Sequence, residues 1–355
     1  MKKSLTVLIT GVGAPGTRGT LYALRTNPRT KVRVVGTDIK ESAVGRFFAD
    51  HFHTLPPPED EGYVDEVNRI CALRRVDLIV PQTTRETAAL AKAKSRLSVP
   101  ATVSAWDSVR KANDKLEVLR VFEKLRLPFP RYERASSTKE LEEAAKKLGY
   151  PDVPVVVKPP VSFGSRGFRV LVAESSWTRS RFLSEKPEGA EIALADLLGV
   201  LRSEGEARFP ELIATEYLPG YEYTVDAFRG VKAAVALPRR RDEVVNGISF
   251  QTTMEYRKDI AGYTLRAAEE LGLTCAFGFQ YKMDSAGVPK VLECNPRVQG
   301  TMVASVFSGV NVVWMAVEEA MGEPPSAPRS RPRDASFRRF WGGVGLRGDK
   351  LLDEI

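Results

Sequence analysis

Residues 280–300 read QYKMDSAGVPKVLECNPRVQG, and the rest of the chain is best read outward from them. The pattern predicts a strand, a tight turn at Asp284-Ser285-Ala286-Gly287, and a returning strand that ends in Glu293-Cys294-Asn295-Pro296-Arg297. Side chains alternate faces along a strand, so Glu293 and Asn295 point the same way. Across the hairpin, Gln280 falls near Glu293, at the roughly 5 Å of cross-strand neighbours. One acid, two amide oxygens and an arginine would then converge at the end of two strands. Oxygen ligands of this kind suit Mg²⁺, which takes carboxylates together with substrate phosphates. A surface hairpin with a polar tip is the competing reading, and a single acid does not decide between them.

A chain of 355 residues exceeds one average domain, so two or three compact units are expected. With 43% apolar and 28% charged residues it has the composition of a globular protein with a substantial core. No apolar run reaches the length of a membrane span. The opening MKKSLTVLITGVGAPG lacks a small-residue cleavage site and reads as strand and turn rather than as a signal peptide. Cys71, Cys275 and Cys294 have no zinc or redox spacing, which predicts free thiols and a cytoplasmic location. The net charge of +8 is spread among interleaved acids, so an anionic small substrate such as a nucleotide explains it as well as nucleic acid does.

Residues 5–10 predict a buried strand, followed by Gly11-Val12-Gly13-Ala14-Pro15-Gly16, a helix over 18–25 and a strand over 32–35 running to Asp38. That is the order of a dinucleotide fold and raises NAD binding as one reading. Pro15, however, removes one N–H from the loop, and such glycines also serve any tight turn packed on a sheet. Helices over 41–50, 63–74 and 83–95 alternate with strands at 77–80 and 101–103, which implies a parallel, doubly wound sheet. His51 and His53 sit at a strand end with no third ligand nearby, and a structural role is expected.

A second unit is expected from Asp107. One helix spans 111–125, a second 138–148 closes at Gly149, and a strand over 153–158 ends in Lys158. The loop Ser162-Phe163-Gly164-Ser165-Arg166-Gly167 can fold over phosphates, with the lysine as a point charge. It is not a Walker A loop. A charged, helical stretch covers 175–208, followed by strands at 211–217, 222–228 and 231–237. Arg239-Arg240-Arg241 then enters a loop at Asn246-Gly247, where it is either solvated or holds anionic substrate. A helix over 259–272 leads into the opening hairpin, a helix follows over 301–321, and a last strand falls within 336–346.

Taken together, Asn113-Asp114-Lys115, Val157-Lys158-Pro159, Gly164-Ser165-Arg166-Gly167, Glu216-Tyr217-Leu218, Glu222-Tyr223-Thr224-Val225-Asp226, Gln280 and Glu293-Cys294-Asn295-Pro296-Arg297 resemble the ATP-grasp superfamily. The likeness is to its carbamoyl-phosphate-synthase-large-subunit-like branch and covers about residues 107–325. It implies an N-terminal α/β domain over 1–106, then an ATP-grasp fold over 107–355 with a lid subdomain at about 129–215 and an antiparallel C-terminal subdomain.

It also implies roles. Lys115 and Lys158 contact nucleotide phosphates, helped by Ser165 and Gly167 of the lid loop. Main-chain groups at Glu216 and Leu218 read adenine, and Glu222 binds ribose. Gln280, Glu293 and Asn295 hold Mg²⁺ (with Mn²⁺ as a substitute), and Arg297 lies near the transferred phosphate. The implied activity is ADP-forming ligation of a small-molecule carboxylate to an amine through an acyl phosphate. Carboxyphosphate or carbamate phosphorylation, an NAD-dependent oxidoreductase and a non-catalytic nucleotide-binding protein are the alternatives. Neither membrane nor nucleic acid is expected as a partner, and a homodimer is left open. Phe163 stands where relatives often carry another glycine, and the chain has one ATP-grasp unit where full carbamoyl-phosphate synthesis uses two.

Overall fold

A computed structural model of the chain describes residues 4–164, 166–173, 190–203, 205–245, 247–326, 332–348 and 350–354. It forms two compact units, one of Met1–Asn113, Glu222–Gln280 and Glu293–Ile355, the other of Asp114–Tyr221 and Tyr281–Leu292.

The first unit opens with β1 (Ser4–Thr10), α1 (Thr17–Arg25), β2 (Lys31–Asp38), β3 (His51–Thr54), α2 (Tyr63–Arg74), β4 (Leu78–Pro81), α3 (Thr84–Lys92) and α4 (Trp106–Asn113). The strands form a parallel sheet in the order β3-β2-β1-β4, with Val7 level with Val34 and Leu78. Alternate residues of these strands enter different cores. Leu5, Val7, Ile9, Val34 and Val80 pack on one face, and Leu8, Val35 and Ile79 pack on the other with Tyr63, Val67, Ile70 and Leu90. Both faces are covered, which is why these strands read as unbroken apolar runs.

Two expectations for this region are corrected. The helix expected over 41–50 is a five-residue 3₁₀ turn, Val44–Phe48. Gly45 lies against the Val12 carbonyl, and Asp50 is already drawn onto β2, where its N–H donates to Val34 O at 2.9 Å. The strand expected over 101–103 is a single bridge between Ile79 and Ala101.

The second unit carries α5 (Lys115–Lys124), β5 (Tyr132–Ala135), α6 (Thr138–Lys147), β6 (Val155–Lys158), β7 (Arg169–Leu171), β8 (Glu191–Ile192), α7 (Leu194–Arg202) and β9 (Leu212–Glu216). Its sheet runs β5-β9-β6-β7-β8, over a core of Leu141, Ala145, Val155, Val157, Leu171, Leu198 and Ala214. The single helix expected over 111–125 is two helices. Asp114 takes an extended conformation (φ −95°, ψ 111°), and its carboxylate accepts the Leu116 and Glu117 N–H groups at 2.8 and 3.3 Å, capping α5. Of the stretch expected to be helical over 175–208, residues 175–189 and 204 lie outside the described residues, and the remainder holds β8, α7 and a 3₁₀ turn at Glu206–Arg208.

The chain then returns to the first unit through β10 (Glu222–Arg229), β11 (Ala234–Val245), β12 (Ile248–Met254) and α8 (Lys258–Glu270). The hairpin β13 (Cys275–Met283) and β14 (Pro289–Asn295) follows, then α9 (Ala304–Phe307), α10 (Val312–Ala320), β15 (Ser336–Arg338), β16 (Val344–Arg347) and β17 (Lys350–Glu354). Six of these strands form a sheet in the order β14-β13-β10-β11-β12-β15, and β16 pairs with β17.

The arginine triplet is not in a loop. Residues 239–241 lie inside β11, with Arg239 and Arg240 opposite Thr224 and Tyr223 of β10 and all three paired antiparallel with Met254, Thr253 and Thr252 of β12. The helix expected over 301–321 is broken by Gly309 at φ 91°, and the last strand expected within 336–346 is β15 followed by a separate hairpin. Asp284 is a turn residue: its Oδ1 accepts from Ala286 N and Val288 N, both at 2.9 Å. Among the described residues no helix is long and apolar enough to cross a membrane. Cys71, Cys275 and Cys294 are buried free thiols.

Candidate active site

In the second unit, two buried lysines sit where an element begins or ends. Lys115 is the first residue of α5 and is 7% exposed, and its ammonium donates to Ser162 O at 3.1 Å and Ser162 Oγ at 3.2 Å. Lys158, the last residue of β6 and also 7% exposed, donates to Leu292 O at 3.3 Å, one residue before Glu293.

Ser162 opens the Gly/Ser loop between β6 and β7. Gly167 there has φ 74°, and a Cβ would meet the Pro159 ring at 2.7 Å, so the loop needs glycine on both counts. Phe163 O accepts from Arg166 Nη1 at 3.1 Å. Ser165, expected to assist phosphate binding, lies outside the described residues.

Glu216 ends β9, and its carboxylate is held by Lys290 Nζ at 2.6 Å and by Arg131 Nε at 3.1 Å. Burial alone would raise its pKa; the hydrogen bonds from Lys290 and Arg131 outweigh burial and hold it below the usual glutamate value. The side chain is thus committed to ion pairs. Leu218 is buried at the break that follows.

In the first unit, Glu222 opens β10 and pairs with Arg241, which is itself fixed by Ser249 Oγ at 2.9 Å and Gly247 O at 2.7 Å. Gln280 is half-buried on β13. At the end of β14, Asn295 Nδ2 donates to Glu293 Oε1 at 3.0 Å, so these side chains share a face. Cys294, between them, is buried, and burial pushes its thiol pKa up.

Arg297 follows on a half-buried loop. Its Nε donates to Thr84 Oγ1 at 2.9 Å, Nη1 to Val298 O at 3.0 Å and Nη2 to Asn295 Oδ1 at 3.3 Å. All three acceptors are neutral; burial pulls the guanidinium pKa down, against the charge of the nearby Glu293 carboxylate, which acts to raise it. Among the described residues no three His, Cys, Asp or Glu side chains gather as a metal cluster. The donor set on β14 is one carboxylate with an amide beside it, which fits a hard cation that takes its remaining oxygens from substrate phosphates.

The N-terminal glycine loop closes on itself. Val12 N donates to Thr37 O, Ala14 N to Gly11 O and Thr17 N to Ala14 O, each at 3.0 Å. Asp38 accepts Gly13 N at 2.8 Å and Lys40 N at 2.9 Å, so the acid a dinucleotide ribose would use is engaged by the loop itself. His53 Nε2 accepts from Arg74 Nε at 2.8 Å, a structural contact. Sequence reasoning missed Lys290 and Thr84, and named Ser162 and Arg241 only as members of the Gly/Ser loop and the arginine triplet. Only Thr84 has a nearby signal, because Thr83-x-x-Glu86 spells a helix-capping box that places it on the first turn of α3.

Comparison with known proteins bears on the family and the fold. Residues 208–340 match a family model described as ATP-grasp in the biosynthetic pathway with Ter operon. Residues 7–102 match the PylC-like N-terminal domain. The carbamoyl phosphate synthase large chain of Pyrococcus furiosus is 26% identical over 242 residues, covering 65% of this chain and 21% of the relative. The chain therefore spans about a fifth of the length of the curated relatives it matches. Among solved structures, N5-carboxyaminoimidazole synthetase from Staphylococcus aureus complexed with ADP superposes with a TM-score of 0.68 at 15% identity, covering 98% of this chain and 83% of that one. L-amino acid ligase from Bacillus licheniformis superposes with a TM-score of 0.66 at 14% identity, covering 98% and 83%. At such identities the structural likeness establishes the fold. The two family models, the curated relatives and the fold together support an ATP-grasp protein similar to carbamoyl phosphate synthase large chains.

Proposed function

We propose that the protein is an ATP-dependent, ADP-forming carboxylate–amine ligase. The observation that carries this reading is the group at the end of β14, where Glu293 and Asn295 share a face and the half-buried Arg297 guanidinium donates only to neutral oxygens. A cation so placed favours an anion, and a transferring phosphoryl group is the anion such folds handle. Lys115 and Lys158 supply further positive charge for nucleotide phosphates, with Gly167 and Ser165 in the covering loop. Main-chain groups at Glu216 and Leu218 read the base, and Glu222 holds the ribose. Glu293 and Asn295, with Gln280, would hold Mg²⁺ or Mn²⁺, which supplies charge neutralisation when bound.

Phosphoryl transfer asks for positioning and charge neutralisation rather than covalent help from the protein. A substrate carboxylate oxygen attacks the γ-phosphorus, the bond to the β–γ bridging oxygen breaks, and ADP leaves. The amine then attacks the acyl carbon, phosphate departs, and the amine proton is lost to solvent or base. The Gly/Ser loop would keep water from the acyl phosphate. A location in the cytoplasm and small-molecule partners accompany this reading.

The test is ADP release against panels of carboxylates and amines, with hydroxylamine trapping the activated acid. ATP-dependent hydroxamate that persists undiminished in Lys158→Ala or Glu293→Ala sinks the assignment. The curated relatives' name favours a second reading, phosphorylation of bicarbonate or carbamate. ADP release that depends on bicarbonate and on no organic acid selects it.

A further inference from the structure

We propose that Thr84 is a positioning residue for Arg297, so that the first turn of α3 fixes where that guanidinium points. The inference rests on the reading of Arg297 as a phosphate-facing group. Two of its hydrogen bonds, to Val298 O and to Asn295 Oδ1 at the end of β14, go to near neighbours in sequence. They hold the side chain to its own stretch of chain. The Nε bond to Thr84 Oγ1, at 2.9 Å, reaches 213 residues back along the chain and ties the guanidinium to another element. Each Nη carries two N–H groups and its hydrogen bond uses one of them, so with Nε anchored the second N–H on each is what a phosphoryl or carboxylate oxygen would meet.

Thr84 is built to be a firm anchor. It is 7% exposed, and its β-branched side chain has few rotamers. It begins α3 immediately after the capping residue Thr83, whose Oγ1 accepts Glu86 N at 3.4 Å. The Glu86 carboxyl returns to Thr83, accepting Oγ1–H at 2.9 Å and N–H at 3.3 Å. Gly11 makes room for that carboxyl, since a Cβ there would lie 2.5 Å from Glu86 Oε2. The parallel sheet and its capped helix thereby carry rigidity to a side chain on a loop more than two hundred residues later. A hydrogen bond that only stabilised the fold would affect melting and not turnover.

The experiment compares Thr84→Val, which keeps shape and loses the acceptor, with Thr84→Ser, which keeps the acceptor, and runs Arg297→Lys beside them. Thr84→Val should lower kcat for ADP release about 10- to 100-fold, the scale on which misplacing a group by an ångström acts. The KM for ATP should be unchanged, Thr84→Ser should recover most of the rate, and Thr84→Val combined with Arg297→Lys should be no slower than Arg297→Lys alone. A wild-type kcat in Thr84→Val, or an equal loss in Thr84→Ser, overturns the proposal. Wild-type turnover in Arg297→Lys overturns the reading of Arg297 instead. If no substrate in the panel is turned over, the peptide-mapped rate at which phenylglyoxal modifies Arg297 decides. It rises in Thr84→Val alone if the proposal holds, and equal rates in all three proteins overturn it.

Discussion

Asp226 and Arg239 form an ion pair sealed within the antiparallel sheet of the first unit. Arg239 Nε donates to Asp226 Oδ2 at 3.0 Å and Nη2 to Oδ1 at 3.3 Å, with the side chains 2% and 0% exposed. Arg239 also donates to Thr252 Oγ1 on the neighbouring strand at 3.4 Å. Such a pair gains little over an apolar one of the same shape, yet breaking it strands a buried charge. Asp226→Ala should therefore cost about 3–5 kcal/mol in urea unfolding. The double replacement Asp226→Leu with Arg239→Met should recover most of that loss. A single-variant loss below about 1 kcal/mol would mean that Arg239 finds water or another partner.

This pair marks where the sequence could be read and where it could not. Unbroken apolar runs such as LTVLIT named the parallel sheet, because both of its faces are covered and no alternation survives. Lys115, Lys158 and Glu216 stand out in the sequence because they fall at the start of a helix or the end of a strand, where a sequence pattern changes. The arginine triplet misled because three charges in a row read as solvated loop. Only the pairing of β10, β11 and β12 brings Asp226 and Glu222 within reach of Arg239 and Arg241. The Thr84–Arg297, Lys290–Glu216 and Lys115–Ser162 contacts are long-range in the same sense. No local pattern encodes them, since each partner alone is an ordinary polar residue.

Glu86 gives the protein a pH dependence. Burial is the main cause that raises its carboxyl from 4.5 to about 7, against the lowering hydrogen bonds from Thr83. Because the folded pKa lies above the unfolded one, its contribution to stability is fully present below about pH 4.5 and is lost as the pH rises to about 7. The full swing is about 3 kcal/mol. Glu86→Gln keeps the cap on Thr83 and cannot ionise. Its urea midpoint should rise relative to the wild type above pH 7, and the slope of stability between pH 5 and 7 should flatten. Parallel pH profiles for the two proteins would sink this account.

Two glycines predict opposite outcomes. At Gly16 a Cβ would lie 2.6 Å from Gly300 Cα, a backbone atom with no flexible end to yield. Gly16→Ala should cost about 1–3 kcal/mol as overpacking. Gly262 sits inside α8, exposed, with nothing within 4 Å of a Cβ. Gly262→Ala should stabilise by about 0.5–1 kcal/mol through helix propensity. Thermal melts of both variants check the pair, and the order of the two melting temperatures is the decisive readout.

Glu216 tests whether an expected nucleotide contact runs through main chain or side chain. Its carboxylate is occupied by Lys290 and Arg131, both within its own unit. Glu216→Gln should weaken those pairs and cost about 1–2 kcal/mol of stability, as partly buried charged hydrogen bonds do. The KM for ATP should shift by less than about threefold if backbone groups do the reading, since the strand end remains. A large rise in KM with unchanged stability would assign the carboxylate itself to the nucleotide.

The carboxylate of Glu293 should govern the divalent-ion requirement. It is the one acid on the face it shares with Asn295 at the end of β14, and Asn295 Nδ2 already orients it at 3.0 Å. Glu293→Gln keeps the shape and the hydrogen-bonding capacity while removing the charge that a hard cation selects. Magnesium titrations of ADP release should show the half-saturating concentration rising by at least about tenfold, the scale seen when metal sites lose supporting groups. Asn295→Ala should raise it less, because the carboxylate remains. Mn²⁺, which tolerates a wider range of ligands, should restore more activity than Mg²⁺ in Asn295→Ala. An unchanged Mg²⁺ dependence in Glu293→Gln would remove the acid from the metal seat, and with it the reading of the β13–β14 hairpin as the place where Mg·ATP is held.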